Sequence, residues 1–459
     1  MHGKLVLALM AAAAAAFAQD QPREPNVLMI TVDTLRADHL SCYGYHLKTS
    51  PNIDKLAEEG VRFADANTTI PLTGPAHISL FTSRYPQEHG ARINGLAHNE
   101  EIKLLFLPQI LRKFGYRTAA FVSAWPLTGR LTHLDRWFDL YDEDMPRTYQ
   151  MFNSQRWAED VAPRAMRWLQ ANEHQPFFLW VHFFDPHEPY DLRAAFADIE
   201  QIGEPRPRAP EMETEEARER VRRYDSEIRY ADHWIGEILK TVDRLGLREN
   251  TLVVLLSDHG ESLGEHDYVG HGRQLYQPIV HVPLIFRYPG KIPAGKVIDT
   301  EVSILDVTPT IIDLALRPHH PDLELPVKLG GRSLAASLTG GPAPDQQLLR
   351  YVTFAGRKGW MPKFLVDLFV DFKGLPLKMG QRLGNRKVIW TPKKKDLEIL
   401  NIARDPLELR PAKPPAGSPQ YRAETARLRR WFEQTAAAAG ENRMTEKDIK
   451  VLKSLGYLQ

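Results

Sequence analysis

Two short apolar runs dominate the hydropathy pattern of this chain: Asn26-Val-Leu-Met-Ile-Thr-Val-Asp33 and Thr251-Leu-Val-Val-Leu-Leu-Ser-Asp258-His259-Gly260. Neither alternates with polar residues, and both are short and rich in β-branched side chains. Each is therefore predicted to be a strand buried on both faces of a parallel sheet. Further strands are expected over 117–123 and 177–182. Between the strands the period changes. Residues 51–60 and 108–115 read as short helices closed by glycine, and 155–171 as a longer one. The longest helix is expected over 211–245, where Val221, Tyr224, Ile228, Ala231, Ile235 and Ile238 recur at three- and four-residue spacing and Gly246 offers a cap.

Strand and helix in alternation predict an α/β fold, a mostly parallel sheet covered on both faces. The texture changes after about residue 340. A Gly/Pro loop is followed by a hairpin pair over 385–390 and 397–400, a proline-rich linker over 411–419 and a helix over 420–438. This divides the chain into a main region of residues 25–340 and a smaller C-terminal subdomain of residues 345–459. The aromatic run 360–372 is expected to pack in that subdomain, a membrane edge or hydrophobic substrate being the other reading.

Composition narrows the class. The 459 residues are 43% hydrophobic and 25% charged, and the net charge of +1 implies neither nucleic acid nor an anionic membrane as partner. Residues 1–18 read as a signal peptide: Lys4, an apolar stretch too short to span a bilayer, and Ala16-Phe17-Ala18 as the cleavage signal. A periplasmic or secreted protein without stable membrane insertion is expected. One cysteine, Cys42, allows no intramolecular disulfide and reads as a small packed hydrophobe.

The chemistry lies where the strands run out. Asp33 closes one run and Asp258 with His259 closes the other, at the strand ends where open α/β sheets bind ligands. Two carboxylates and an imidazole are a plausible divalent-metal set. In Pro71-Leu-Thr73-Gly-Pro-Ala-His77 a threonine opens a helical run over 76–81, so the positive end of a helix faces any anion there. A metal on Asp33, Asp258 and His259 would also lower the pKa of the Thr73 hydroxyl, which otherwise serves only as a cap.

Together these segments resemble the sulfatase-like hydrolases of the alkaline phosphatase superfamily. The resemblance extends over Ser50-Pro-Asn-Ile-Asp54, residues 80–90, residues 178–190, residues 256–272, Asp306-Val-Thr-Pro-Thr310, residues 400–406 and residues 452–457, nearly the whole chain beyond the signal peptide. It implies a large mixed sheet between helices, a smaller C-terminal sheet domain and a divalent metal. Asp33, Asp258 and His259 fall on the family's metal-ligand positions and Thr73 on its nucleophile position, where it would also ligate the metal. His182 and His187 fall on anion-contacting or leaving-group histidines, and His271 near a lysine or histidine facing the same anion. Zn or Mn is favoured as the one metal, with Ca or Mg as alternatives. A second metal would fall on Asp185, His187 and His271, and Glu261 and His266 can as well support a ligand from behind as lie at the surface.

The departures bear on substrate. True sulfatases carry a Cys or Ser converted to formylglycine, in a Cys/Ser-x-Pro-x-Arg motif. Threonine cannot give that aldehyde, and His77, expected to contact the anion, stands at the arginine. Residues 122–126 lack the family's Lys and His, and Thr34 replaces the second Asp of an Asp-Asp pair. The expectation is a metal-dependent hydrolase or transferase of phosphate or phosphonate esters acting through a covalent Thr73 adduct, on a small-molecule, glycan or lipid ester. A sulfatase working without formylglycine and a non-catalytic ligand-binding relative are the alternatives.

Overall fold

The computed structural model describes residues 24–145, 155–354 and 375–441. The residues 1–18, 360–372 and 452–457 discussed above lie outside these ranges. The first eleven strands, in chain order, are β1 (Asn26–Val32), β2 (Val61–Asn67), β3 (Arg117–Phe121), β4 (Leu140–Asp142), β5 (Phe177–Phe183), β6 (Thr251–Ser257), β7 (Ser262–Leu263), β8 (Val269–Gly270), β9 (His281–Arg287), β10 (Lys296–Ile298) and β11 (Val302–Ser303). The main sheet runs β10-β2-β9-β6-β1-β5-β3-β4, with β11 also on β2. Only β9 is antiparallel to its neighbours. The sheet is mixed and mostly parallel, as expected for an α/β fold.

Successive side chains of a strand point to opposite faces. Val27, Met29, Leu252, Val254 and Leu256 enter the core on one side of the sheet. Leu28, Ile30, Val32, Val253 and Leu255 enter the core on the other. This double burial explains why β1 and β6 read as unbroken apolar runs. Each such side chain contributes roughly 1.5–3 kcal/mol of burial.

Register brings the chemistry together. β1 and β6 are parallel neighbours with Val32 opposite Ser257, so the next residues, Asp33 and Asp258, leave the sheet side by side. On its other edge β1 pairs with β5, placing Thr31 beside His182.

Several boundaries move for local reasons. The strand expected over 117–123 ends at Phe121, because Arg156 and Ser123 engage the next backbone groups: Arg156 N–H reaches Ser123 O, and Val122 O accepts from the Arg156 guanidinium. The helix expected from 155 starts at Ala158, where the buried Asp185 carboxylate accepts the Ala158 N–H. The longest helix is Glu215–Arg244, opened by Thr214, whose hydroxyl accepts the Ala217 N–H. Residues Pro210–Glu213 ahead of it form a separate 3-10 turn. Gly246 takes the left-handed conformation (φ 69°) that closes this helix.

The second sheet is antiparallel, β12 (Leu349–Thr353), β13 (Lys378–Leu383), β14 (Arg386–Thr391) and β15 (Asp396–Asn401), in that order. Helix Pro419–Glu441 follows. β12 braces the loops beside the main sheet. Its Val352 N–H reaches Thr69 O, its Tyr351 hydroxyl reaches Asn67, and its Thr353 hydroxyl reaches Gly272 O.

Candidate active site

Asp33, Asp258 and His259 place one ligand atom each within 4.8 Å of one another, all buried. Thr73 opens helix Thr73–Thr82, and its hydroxyl lies 3.5 Å from His259 Nε2. The helix is capped by Leu72 without any side-chain bond, so the Thr73 hydroxyl is not used as a cap.

The protonation of His259 follows from its partners. Nδ1 is 3.0 Å from Gly260 O, an acceptor only, so Nδ1 carries the proton. Nε2 is then a bare lone pair. It faces Asp258 Oδ2 at 3.4 Å and Asp33 Oδ1 at 3.8 Å, which are themselves acceptors. Both Asp33 oxygens, Asp258 Oδ2 and His182 Nε2 are buried without a hydrogen-bond partner. Burial and the neighbouring Asp258 push Asp33 well above the usual carboxylate range, and burial also raises Asp258. Acceptors converging with only the Thr73 hydroxyl as a donor among them fit a divalent cation, and a histidine donating its other N–H to a carbonyl is the usual arrangement behind a metal ligand. Asp33, Asp258, His259 and Thr73 are the side chains able to hold it.

Three further histidines line the site. His182 is fully buried, with Nδ1 3.2 Å from Ser123 Oγ and Nε2 3.6 Å from Asp33 Oδ2. Burial and the adjacent histidines hold it well below its ordinary value. His187 stacks on Phe184, bonds through Nδ1 to Glu188 O, and is lowered by burial to about 4. His271 lies with its ring 4.5 Å from that of His259 and 5.0 Å from that of His187. Its Nδ1 meets Glu261 Oε1 at 2.9 Å. Although burial opposes it, the Glu261 carboxylate raises His271 above its ordinary value.

Glu261 is the residue whose role the sequence left open. It is fully buried, with Oε2 accepting the Tyr190 hydroxyl at 2.6 Å. Its position three residues after Asp258 was the available signal; its partners, Tyr190 and His271, were not. Arg36 ties the same loops together, bonding Asp38, Glu265 and the Glu261 carbonyl. His266 lies apart, stacked on Tyr276.

Other expected arrangements are not assembled. Asp185 caps helix Ala158–Asn172 and pairs with Arg193 at 3.0 Å. It is thereby held away from the metal set suggested for it with His187 and His271. His77, Asp258 and His182 form a second close set. However, both His77 nitrogens are bonded, Nδ1 to Thr73 O at 2.8 Å and Nε2 to Thr31 Oγ at 3.1 Å. Thr34 has φ 54°, strained for a β-branched residue, and turns its hydroxyl to Pro186 O.

Comparison with known proteins gives the family and the fold. The model of the Sulfatase family matches residues 25–316. An ulvan-active sulfatase of Formosa agariphila is 28% identical over 372 residues, 74% of this chain and 70% of that protein. A protein solved with its substrate D-glucosamine-2-N,6-O-disulfate superposes with a TM-score of 0.69 at 19% identity, over 92% of this chain and 99% of that one. The phosphonate monoester hydrolase of Agrobacterium radiobacter gives a TM-score of 0.67 at 22% identity, over 90% and 96%. The chain belongs to the sulfatase family of hydrolases, whose fold is that of the alkaline phosphatase superfamily.

Proposed function

We propose that this family member hydrolyses phosphate or phosphonate esters through a covalent adduct on Thr73. The observation that carries the reading is the Thr73 hydroxyl at the head of a helix, 3.5 Å from the bare Nε2 of His259 and beside the unpartnered carboxylate oxygens. A divalent cation on Asp33, Asp258 and His259, Zn or Mn first, would lower the pKa of that hydroxyl and offset the charge of the ester. Thr73, its hydroxyl proton given up to solvent beforehand, attacks phosphorus in line; the bond to the leaving oxygen breaks, and Thr73 leaves again as the alkoxide when water opens the adduct. His271 gives its Nε2 proton to the leaving oxygen, since in this histidine the carboxylate of Glu261 outweighs burial and raises the proton affinity, whereas burial lowers His182, His187 and His259. The same nitrogen next takes a proton from the water that opens the phospho-threonine, so both half-reactions balance. His182 and His187, each with Nδ1 turned to a neighbouring oxygen, line the pocket beside His271. The substrate is a small-molecule, glycan or lipid ester met in the periplasm or outside the cell.

Sulfate-ester hydrolysis without formylglycine is the second reading, favoured by the ulvan-active relative. A threonine cannot supply the aldehyde hydrate that releases sulfate in family members with formylglycine, which is why phosphoryl chemistry is placed first.

The test is turnover of bis-p-nitrophenyl phosphate, p-nitrophenyl phenylphosphonate, p-nitrophenyl phosphate and p-nitrophenyl sulfate by metal-reconstituted protein. Phosphoryl or phosphonyl turnover, with a phosphorylated Thr73 peptide trapped by acid quench, is expected. Turnover of the sulfate alone would give the site to the second reading.

A further inference from the structure

We propose that His77 is a positioning residue for Thr73 that makes no contact with the ester, and that its withdrawal confines the pocket to singly charged esters. The inference rests on the ester-hydrolase reading above.

The direction of every hydrogen bond around His77 is fixed by chemistry. Trp180 Nε1 is only a donor, and it reaches Thr31 Oγ at 2.8 Å. The Thr31 hydroxyl accepts there. Thr73 O, an acceptor only, lies 2.8 Å from His77 Nδ1, so the ring proton sits on Nδ1. Nε2 of the neutral ring is then the acceptor, and it takes the Thr31 hydroxyl hydrogen at 3.1 Å. The chain thus runs one way, from an indole on β5 through a hydroxyl on β1 to the carbonyl of Thr73. All four residues are at most 1% exposed, so water offers no alternative partner. His77 has no N–H left to offer an anion. What it fixes is the first turn of the helix that carries the Thr73 hydroxyl.

The consequence is electrostatic. The carboxylates of Asp33, Asp258 and Glu261 converge on the pocket. Among the described residues their ion-pair partners are histidines, and no lysine or arginine pairs with any of them. The Arg36 guanidinium is committed to Asp38, Glu265 and the Glu261 carbonyl. One divalent cation offsets two of the three carboxylates. The protonated His271 offsets the third, and among the described residues these pairings leave no fixed cation for the second charge of a phosphate monoester, whereas a phosphodiester, a phosphonate monoester or a sulfate ester carries only one.

Binding and kinetics test the two halves. Calorimetry at pH 8 compares diphenyl phosphate, singly charged, with phenyl phosphate, doubly charged, on metal-loaded Thr73→Ala protein. The singly charged ligand is expected to bind at least about tenfold more tightly; equal or tighter binding of phenyl phosphate overturns the proposal. For positioning, Thr31→Val breaks the chain without touching Thr73 or the ester. It is expected to lower kcat about tenfold with KM unchanged. His77→Ala should do the same, and His77→Asn, whose amide N–H can replace Nδ1–H, should recover most of the loss. A raised KM with unchanged kcat in His77→Ala is the signature of ester contact and overturns the proposal. Should Thr31→Val not fold, the His77→Ala and His77→Asn pair decides. A wild-type protein that turns over none of the esters removes the function proposed above, while the calorimetric ratio still decides this inference.

Discussion

At the scale of single residues the site is a set of groups whose partners do not cancel their chemistry. Asp33 is the clearest, since both of its oxygens are buried without a donor. Asp33→Asn should therefore make the metal-free protein more stable, because one of two facing buried charges is gone. The same variant should lose the rise in melting temperature that Zn or Mn gives the wild type. Scanning calorimetry with and without metal checks both; a metal response equal to that of the wild type would remove Asp33 from the ligand set. Thr73→Ala is expected to cut kcat by about 10³-fold or more while metal binding persists. Activity assays and metal analysis on one preparation test this. His259 teaches a further point: its bare Nε2 lone pair is set by the carbonyl of Gly260, a neighbour that no side-chain pattern names.

At the scale of elements, tight loops carry the ligands and strand ends aim them. Gly260 follows His259 directly, and its N–H donates to Ile279 O at 2.7 Å. A Cβ at that position would lie 2.1 Å from Pro278 O. Gly260→Ala should push the β6 loop from the Gln277–Val280 turn and destabilise the fold by about 1–3 kcal/mol, as overpacking does. Urea unfolding measures it; a loss within error would show that the turn yields freely. Long helices were legible from spacing alone, as 215–244 shows, but their first residues were not. Thr214 and Asp185 decide where two helices begin, and Asp185 does so from another element.

The whole molecule is joined at a buried ion pair. Lys387 of β14 meets Glu408 at 2.8 Å with both side chains inaccessible, and Glu408 also accepts the Gln277 N–H. Lys387→Met alone leaves a buried carboxylate unpaired and should cost about 3–5 kcal/mol, whereas pairing it with Glu408→Leu should recover much of that. A double-mutant cycle in urea reads the difference. Acid should also loosen the fold through its buried histidines. Burial lowers His98 from 6.5 to about 4, and lowers His89 in the same direction. The unfolded chain then takes up these protons at a higher pH than the folded one. Stability is full above about pH 6.5 and is lost as pH falls through about 4. Urea midpoints between pH 7.5 and 4.5 should show this slope, and His98→Gln should flatten it. The sequence by itself determined the α/β class and the buried strands, and it singled out Asp33, Asp258, His259 and Thr73 as candidates, because double burial and helix starts are written in neighbouring residues. Only the tertiary structure decided that β1 lies beside β6 in the register that joins two carboxylates, that Glu261 stands behind His271, that Asp185 faces a helix and that His77 turns inward. Those outcomes depend on which distant segment becomes a neighbour, and hydrogen-bond direction follows from that neighbour.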